Sequence, residues 1–247
     1  MPLSSILSRL LLAGIFAFPL PTNSPWDKPA DQWNLADTYK ILEDSPWSPT
    51  KVSLETKYTQ RHTDALTSVV TDSPTNPQNT ANVRGVELSR TKITPAFQVK
   101  WWSSKTIRMA ELRMWALKSS GNSAIPAPRV EDLSDYVIAF EGDEPLRIFR
   151  DAKEDLHDTV FLELDNGFTL DLASVQFVDG ADSQPLRTEF HFPRQVEGKP
   201  GIDVDTERVV FHCRATAKKQ MPNRENSISI RVDFHPKEMR AHGEPDL

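Results

Sequence analysis

Three histidines each follow a phenylalanine in segments where apolar and polar residues alternate: Phe190-His191, Phe211-His212 and Phe234-His235. Successive side chains of a β-strand point to opposite faces, so an inward phenylalanine places the next histidine outward. If the three strands are neighbours in one sheet, the imidazoles of His191, His212 and His235 share one surface. Three imidazoles can bind zinc and leave a position open for water. One interpretation is therefore a zinc-binding protein or a zinc-dependent hydrolase with zinc as its cofactor.

A simpler interpretation, which we favour, is that outward strand positions take polar residues and histidine is one of them. The charged residues expected on the same face carry both signs: Arg187, Glu189, Arg208, Arg214, Arg231 and Asp233. Such a mixture is typical of a solvent-exposed face with ion pairs. Zinc binding also requires the register to align the three histidines, since a slip of two residues moves a side chain about 6–7 Å.

No motif of a known catalytic centre occurs in the sequence. There is no Gly-x-Gly phosphate or dinucleotide signature, no Gly-x-Ser-x-Gly elbow and no His-Glu-x-x-His. The only cysteine, Cys213, excludes an internal disulfide and any Cys-x-x-Cys zinc or redox site. Its alternation with Val209 and Phe211 predicts a buried, unreactive thiol. We therefore assign no catalytic and no cofactor-binding residue, and a non-enzymatic protein is favoured.

An aromatic pair, Trp101-Trp102, offers a candidate contact with a partner. Adjacent strand side chains point in opposite directions, so we expect one indole to be buried and the other exposed. An exposed Trp102 could stack on a sugar or a partner surface. The alternative is that a nearby loop covers it.

Seven segments alternate between apolar and polar residues, which predicts strands at 52–58, 97–101, 160–164, 168–172, 186–192, 209–215 and 228–234. A further short strand is predicted at 136–140. Asp165-Asn166-Gly167 separates the strands at 160–164 and 168–172. A two-residue turn would put their apolar residues on different faces, whereas a three-residue loop puts Leu164 opposite Phe168 and Leu162 opposite Leu170. We therefore predict the three-residue loop, with Gly167 in the left-handed conformation.

Two helices are expected among these strands. A short one is capped near Asn34 and ends at the sequence Asp-Ser-Pro-Trp of residues 44–47. A longer one over 105–117 begins after Ser103 or Ser104 and carries an apolar stripe. Its basic residues lie off that stripe and are expected in solvent: Lys105, Arg108, Arg113 and Lys118. The pattern predicts a mainly β or α+β fold, with an antiparallel sheet or a β-sandwich and one or two helices.

The N-terminal segment predicts export. Arg9 precedes an uncharged apolar run over 10–20, the order of a signal peptide, which we place at 1–24. That run is too short to cross a membrane, and no later window is long and apolar enough, so no integral membrane segment is expected in the mature chain.

Residues 25–247 are expected to form a single β-rich domain with a long flexible loop at about 60–84. A formal net charge of −6 disfavours nucleic acid as a partner.

Several short motifs are spread over most of the chain. They are Trp33 before a short helix, Asp-Ser-Pro-Trp at 44–47, Val-Lys-Trp-Trp-Ser at 99–103, Phe-His-Phe-Pro-Arg at 190–194, and Phe-x-x-Lys-x-Met-x-x-x-Gly at 234–243. Together with the N-terminal signal they resemble a group of secreted bacterial proteins with no assigned function. The resemblance implies export and a single domain, and it implies no reaction, ligand or site residue. The expected function is that of an exported binding or structural protein, periplasmic or extracellular.

Overall fold

The computed structural model describes residues 24–58, 97–120, 129–180, 185–203, 205–218 and 225–247. The predicted signal peptide, apart from Ser24, and the predicted flexible loop at 60–84 lie outside these residues.

The described residues form mostly antiparallel sheets. The strands are β1 (Val52–Tyr58), β2 (Gln98–Trp101), β3 (Asp135–Glu141), β4 (Val160–Leu164), β5 (Thr169–Asp171), β6 (Ser174–Asp179), β7 (Pro185–Pro193), β8 (Gln195–Val196), β9 (Lys199–Pro200), β10 (Val209–Lys218), β11 (Glu225–Phe234), β12 (Arg240–Ala241) and β13 (Glu244–Pro245). One sheet has the order β1-β11-β10-β4-β5 and a second has the order β2-β3-β7-β6. β8 with β9 and β12 with β13 form two small ribbons. This confirms the predicted mainly β or α+β fold.

The hairpin between β4 and β5 is the predicted one. Leu162 lies opposite Leu170, and the backbone amide of Leu164 donates to the carbonyl of Phe168 at 2.8 Å. Gly167 has φ +79°, the left-handed conformation that a side chain disfavours. Agreement of the apolar faces therefore selected the correct loop length.

The two larger sheets pack face to face. Phe211 of β10 lies 5.4 Å from Phe190 of β7 between ring centroids, and Trp101 of β2 lies 5.1 Å from Phe234 of β11. The buried residues of both sheets form one cluster. The side chains that alternate with them consequently point away from the core, to the outer face of each sheet.

Within the described residues four α-helices accompany the sheets: α1 (Leu35–Glu43), α2 (Lys105–Ser120), α3 (Asp143–Asp151) and α4 (Leu156–Thr159). Short 3-10 turns cover Pro25–Asp27, Ala30–Gln32 and Pro236–Glu238. The predicted cap of α1 is confirmed, because the side chain of Asn34 accepts from the amide of Asp37 at 2.9 Å. No helix of the described residues is long and apolar enough to span a membrane.

α3 and α4 were not predicted, and α3 has a large part in the core. Phe149 of α3 is fully buried, with its ring edge-on to Phe140 of β3 and Phe190 of β7. α3 also contacts β10 and β11 of the other sheet. Only one side of this nine-residue helix enters the core, so the helix has few apolar residues. These are too few to show a helical period in the sequence.

Two features of α2 also differ from the sequence prediction. Arg113 was expected in solvent but is 1% exposed, and its guanidinium donates to the carbonyls of Trp33 and Asp31. Carbonyls left unpaired by the irregular chain before α1 attract this buried cation.

The start of α2 has two caps. Ser104 accepts from the amide of Ile107 at 3.3 Å, as predicted for a cap, and Asp246 is a second cap. The Asp246 carboxylate accepts from the amides of Lys105 and Thr106.

Candidate ligand-binding surface

The outer face of the five-stranded sheet forms a shallow depression of about 470 Å³. One row across the strands pairs Ser53 of β1 with Arg231 of β11, Arg231 with His212 of β10, and His212 with Phe161 of β4. The next row contains Glu55, Ser229 and Arg214. We call this surface the open face and define it by Ser53, Glu55, Phe161, His212, Arg214, Ser229 and Arg231.

Two arginines give the open face its positive charge. Within the described residues the exposed Arg214 makes no hydrogen bond or ion pair. The Arg231 side chain is 51% exposed, and its Nε lies 4.0 Å from Oδ1 of the equally exposed Asp233. An ion pair so long and so exposed contributes little. Both guanidinium groups therefore keep donors available for an anion.

The β4 side of the open face is more rigid. The His212 ring stacks on Phe161 with 4.7 Å between centroids, and His212 Nε2 lies 2.7 Å from Oε2 of Glu163. Residues between these positions point into the core, so the backbone beneath the open face is held by packing. Among them is Cys213, which is buried, and burial raises the pKa of its thiol. This confirms the predicted burial of the thiol and favours its unreactive, protonated form.

The three histidines do not share a surface, and the assumption that their strands are neighbours in one sheet is wrong. His191 belongs to β7, in the four-stranded sheet, whereas His212 lies on β10 in the other sheet. His235 follows β11 four residues beyond Arg231, the partner of His212, which separates the two histidines by about 13 Å. No group of three His, Cys, Asp or Glu side chains in the described ranges is arranged to hold a metal ion. Zinc binding by these histidines stays a prediction without support from this arrangement.

His191 belongs instead to a second set of charged groups on the outer face of the four-stranded sheet. Its Nδ1 lies 3.3 Å from Asp135, and its Nε2 lies 3.7 Å from Oε2 of Glu189. Lys100 pairs with Glu141 at 2.5 Å. We call this set, completed by Arg187 and by Glu111 of α2, the charged layer. Its members are mostly half-buried or buried, so their charges are screened less than those of the open face.

Protonation in the charged layer follows from these neighbours. The Glu189 carboxylate is the main cause of a raised pKa at His191, and Asp135 acts in the same direction. Burial would raise the pKa of Glu189, but His191 and Arg187 hold it below its ordinary value. Burial raises the pKa of Glu111, and the charge of Glu141 adds to this effect. The ionised form of Glu111 therefore lowers the stability of the native protein.

Replacing Glu111 with glutamine should stabilise the protein at neutral pH. The unfolded chain releases the Glu111 proton at lower pH than the native chain, so native stability is lost as pH rises through the raised pKa. We expect Glu111→Gln to raise the Tm by about 2 °C at pH 7 and to have no effect at pH 4, measured by thermal unfolding. Glu154→Gln at an exposed turn is the matched control. A lower Tm for Glu111→Gln at pH 7 would mean that Lys100 and Arg187 outweigh burial.

Trp102 is not exposed as expected. Trp101 and Trp102 are both buried, and Trp102 is only 7% exposed. The guanidinium of Arg187 lies 4.0 Å above the Trp102 ring and covers its outer side. Trp102 therefore has no free surface for the predicted partner contact. The exposed indole is that of Trp115 on α2, which is 57% exposed and lies beside the exposed Leu112. Its exposure depends on which side of α2 faces the core.

The sequence named Arg214 and Arg231 only as members of a solvent-exposed charged face. The prediction that these arginines share one solvent-exposed face with Arg187 and Glu189 is wrong. Arg187 and Glu189 form an ion pair on the four-stranded sheet, and their side chains are only 17% and 10% exposed. The sequence did not show that Arg214 and Arg231 are diagonal neighbours, because this depends on which strands are adjacent and in which register. No family model matches this chain, and neither a curated protein nor a solved structure matches it. The resemblance to secreted bacterial proteins stays a prediction.

Proposed function

We propose that this chain is a non-enzymatic binding protein, exported to the periplasm or the extracellular space, and that it binds its ligand on the open face. The observation that carries the proposal is the pair Arg214 and Arg231, exposed in one depression that crosses four strands. A guanidinium is more weakly hydrated than an ammonium and presents paired donors, so exposed arginines without strong partners are suited to bind an incoming anion.

Binding fits the open face better than catalysis. Catalytic centres bring titratable groups with shifted pKa values together in a concave, water-excluding site. Here a cluster of groups that shift one another's pKa values, including Glu189 and His191, belongs to the charged layer on the other sheet. Beneath the open face the pKa of the Cys213 thiol is raised by burial, which keeps the thiol protonated and unreactive. The open face offers fixed positive charge and hydroxyl groups on a rigid sheet, which is sufficient for recognition.

A co-sedimentation experiment tests both parts of the proposal. The full chain is expressed in its own cells and recovered from the periplasm or the medium, and its mass should show that residues 1 to about 24 have been removed. This protein should sediment with cell-envelope fragments of the same cells. Ser229→Tyr, which places a bulky ring between the arginines, should abolish sedimentation. Thr169→Tyr, at an exposed position on the edge strand β5, is the matched control and should sediment as the wild type does.

Two results would contradict the proposal. Recovery of the intact chain from the cytoplasm alone would overturn export. Equal sedimentation of wild type and Ser229→Tyr, or no sedimentation of either, would overturn binding at the open face. Circular dichroism and the unfolding midpoint of each variant separate loss of binding from loss of folding.

A further inference from the structure

We infer that the ligand of the open face is an acidic polysaccharide, bound through carboxylate groups by Arg214 and Arg231. The inference rests on the proposed function and specifies its ligand class. It depends on the spacing of the two arginines, the neutral and acidic side chains between them, and the extent of the depression.

The spacing of the arginines suits a carboxylate. Arg214 pairs with Ser229, two residues from Arg231 on β11, so the two arginines are diagonal neighbours on adjacent strands. Such neighbours are separated by about 7–8 Å at the backbone, within reach of long side chains that converge on one group. The planar guanidinium presents paired N–H donors that match the two oxygens of a carboxylate.

The remaining side chains suit hydroxyl groups. Ser53 lies directly opposite Arg231, and Ser229 lies opposite Arg214, so each arginine has a serine as its neighbour on the adjacent strand. Glu55 lines the same depression and is exposed. Its carboxylate accepts hydrogen bonds from hydroxyl groups, which each sugar ring of a polysaccharide supplies and which a polyphosphate chain lacks. A polysaccharide of uronic acids, which carries a carboxylate and several hydroxyls on each sugar, satisfies all of these groups at once.

The extent of the depression suits a chain rather than a single sugar ring. It crosses β1, β11, β10 and β4, a span of three strand spacings or about 14 Å. The stacked rings of His212 and Phe161 bound it on the β4 side. The net charge of −6 opposes long-range attraction of a polyanion, so binding must arise from these local contacts and should weaken with added salt.

The test measures binding of the full exported chain to immobilised polygalacturonate, a polymer of uronic acids, with dextran as the neutral polymer. We expect binding to polygalacturonate but not to dextran. Arg214→Gln and Arg231→Gln should each weaken binding about tenfold, and the double variant about a hundredfold. Arg214→Lys should lose less than Arg214→Gln because it keeps the charge. Arg147→Gln, an exposed arginine on α3, is the matched control and should bind normally.

Each contrary outcome identifies what has failed. Equal binding to dextran, lost in the glutamine variants, would overturn an acidic ligand but retain binding at the open face. Equal binding to phosphatidylglycerol vesicles or polyphosphate would replace the polysaccharide with a general anion. Polygalacturonate binding that the variants do not change would overturn the assignment to the two arginines. No binding to polygalacturonate, while envelope fragments still sediment with the wild type but not with Ser229→Tyr, would overturn this ligand class and leave the proposed function intact.

Discussion

Replacing Phe149 with alanine should lower the free energy of unfolding by about 3–5 kcal/mol. The Phe149 ring is fully buried, 5.2 Å from Phe140 and 5.4 Å from Phe190 between centroids. The substitution removes this apolar surface and leaves a cavity beside two ring contacts. α3 contacts strands of both large sheets, so the cavity lies between the sheets. Movement of a single loop cannot fill it. Urea unfolding with linear extrapolation measures the change.

Two further variants test whether the loss of stability in Phe149→Ala comes from the buried position of this ring. Phe168→Ala, at a ring that is 45% exposed in the β4–β5 hairpin, removes the same atoms from a partly solvated position and should cost about 1 kcal/mol or less. Phe149→Leu keeps most of the buried volume and should be intermediate. If Phe149→Ala and Phe168→Ala destabilise the protein equally, α3 does not occupy the interior between the sheets.

Replacing Asp246 with alanine should lower the free energy of unfolding by about 3 kcal/mol, the combined effect of a helix cap and a hydrogen bond to a charged group. The Asp246 carboxylate accepts from the amides of Lys105 at 2.8 Å and Thr106 at 2.9 Å, and from the Ser104 hydroxyl at 2.7 Å. Its negative charge also lies at the positive end of the α2 dipole. Alanine leaves two amides of the first turn without their acceptor. Unfolding in urea gives the energy, and hydrogen exchange at Lys105 and Thr106 gives its location.

Asp246→Asn tests the role of charge in the same cap. Asparagine keeps one acceptor oxygen but not the charge, so its loss should be about 1 kcal/mol. Asp171→Ala, at an exposed carboxylate on β5, controls for the change in net charge and should be nearly neutral. The Trp47 indole donates to the backbone carbonyl of Asp246, a contact that both substitutions retain. Unchanged exchange at Lys105 and Thr106 in Asp246→Ala would contradict the capping role.

The sequence predicted the features that depend on neighbours along the chain. Alternation identified the strands with a buried face, because a period of two is a local property of extended backbone. The loop at Gly167 followed from the agreement of two adjacent apolar faces, and the start of α1 followed from the capping side chain of Asn34. Burial of Cys213 followed from the apolar residues that alternate with it. None of these predictions required knowledge of a distant segment.

The candidate binding surface depends on contacts between distant segments, which one sequence does not specify. His191 and His212 have the same local pattern, yet strand pairing places them in different sheets. Arg187 lies 85 residues after Trp102 and covers it, and Asp246 caps a helix that begins 141 residues earlier. The same pairing makes Arg214 of β10 and Arg231 of β11 diagonal neighbours. Alternation therefore determined which side chains face outward, whereas the order and register of the strands determined which of them meet, because pairing is selected by the packing of the whole core.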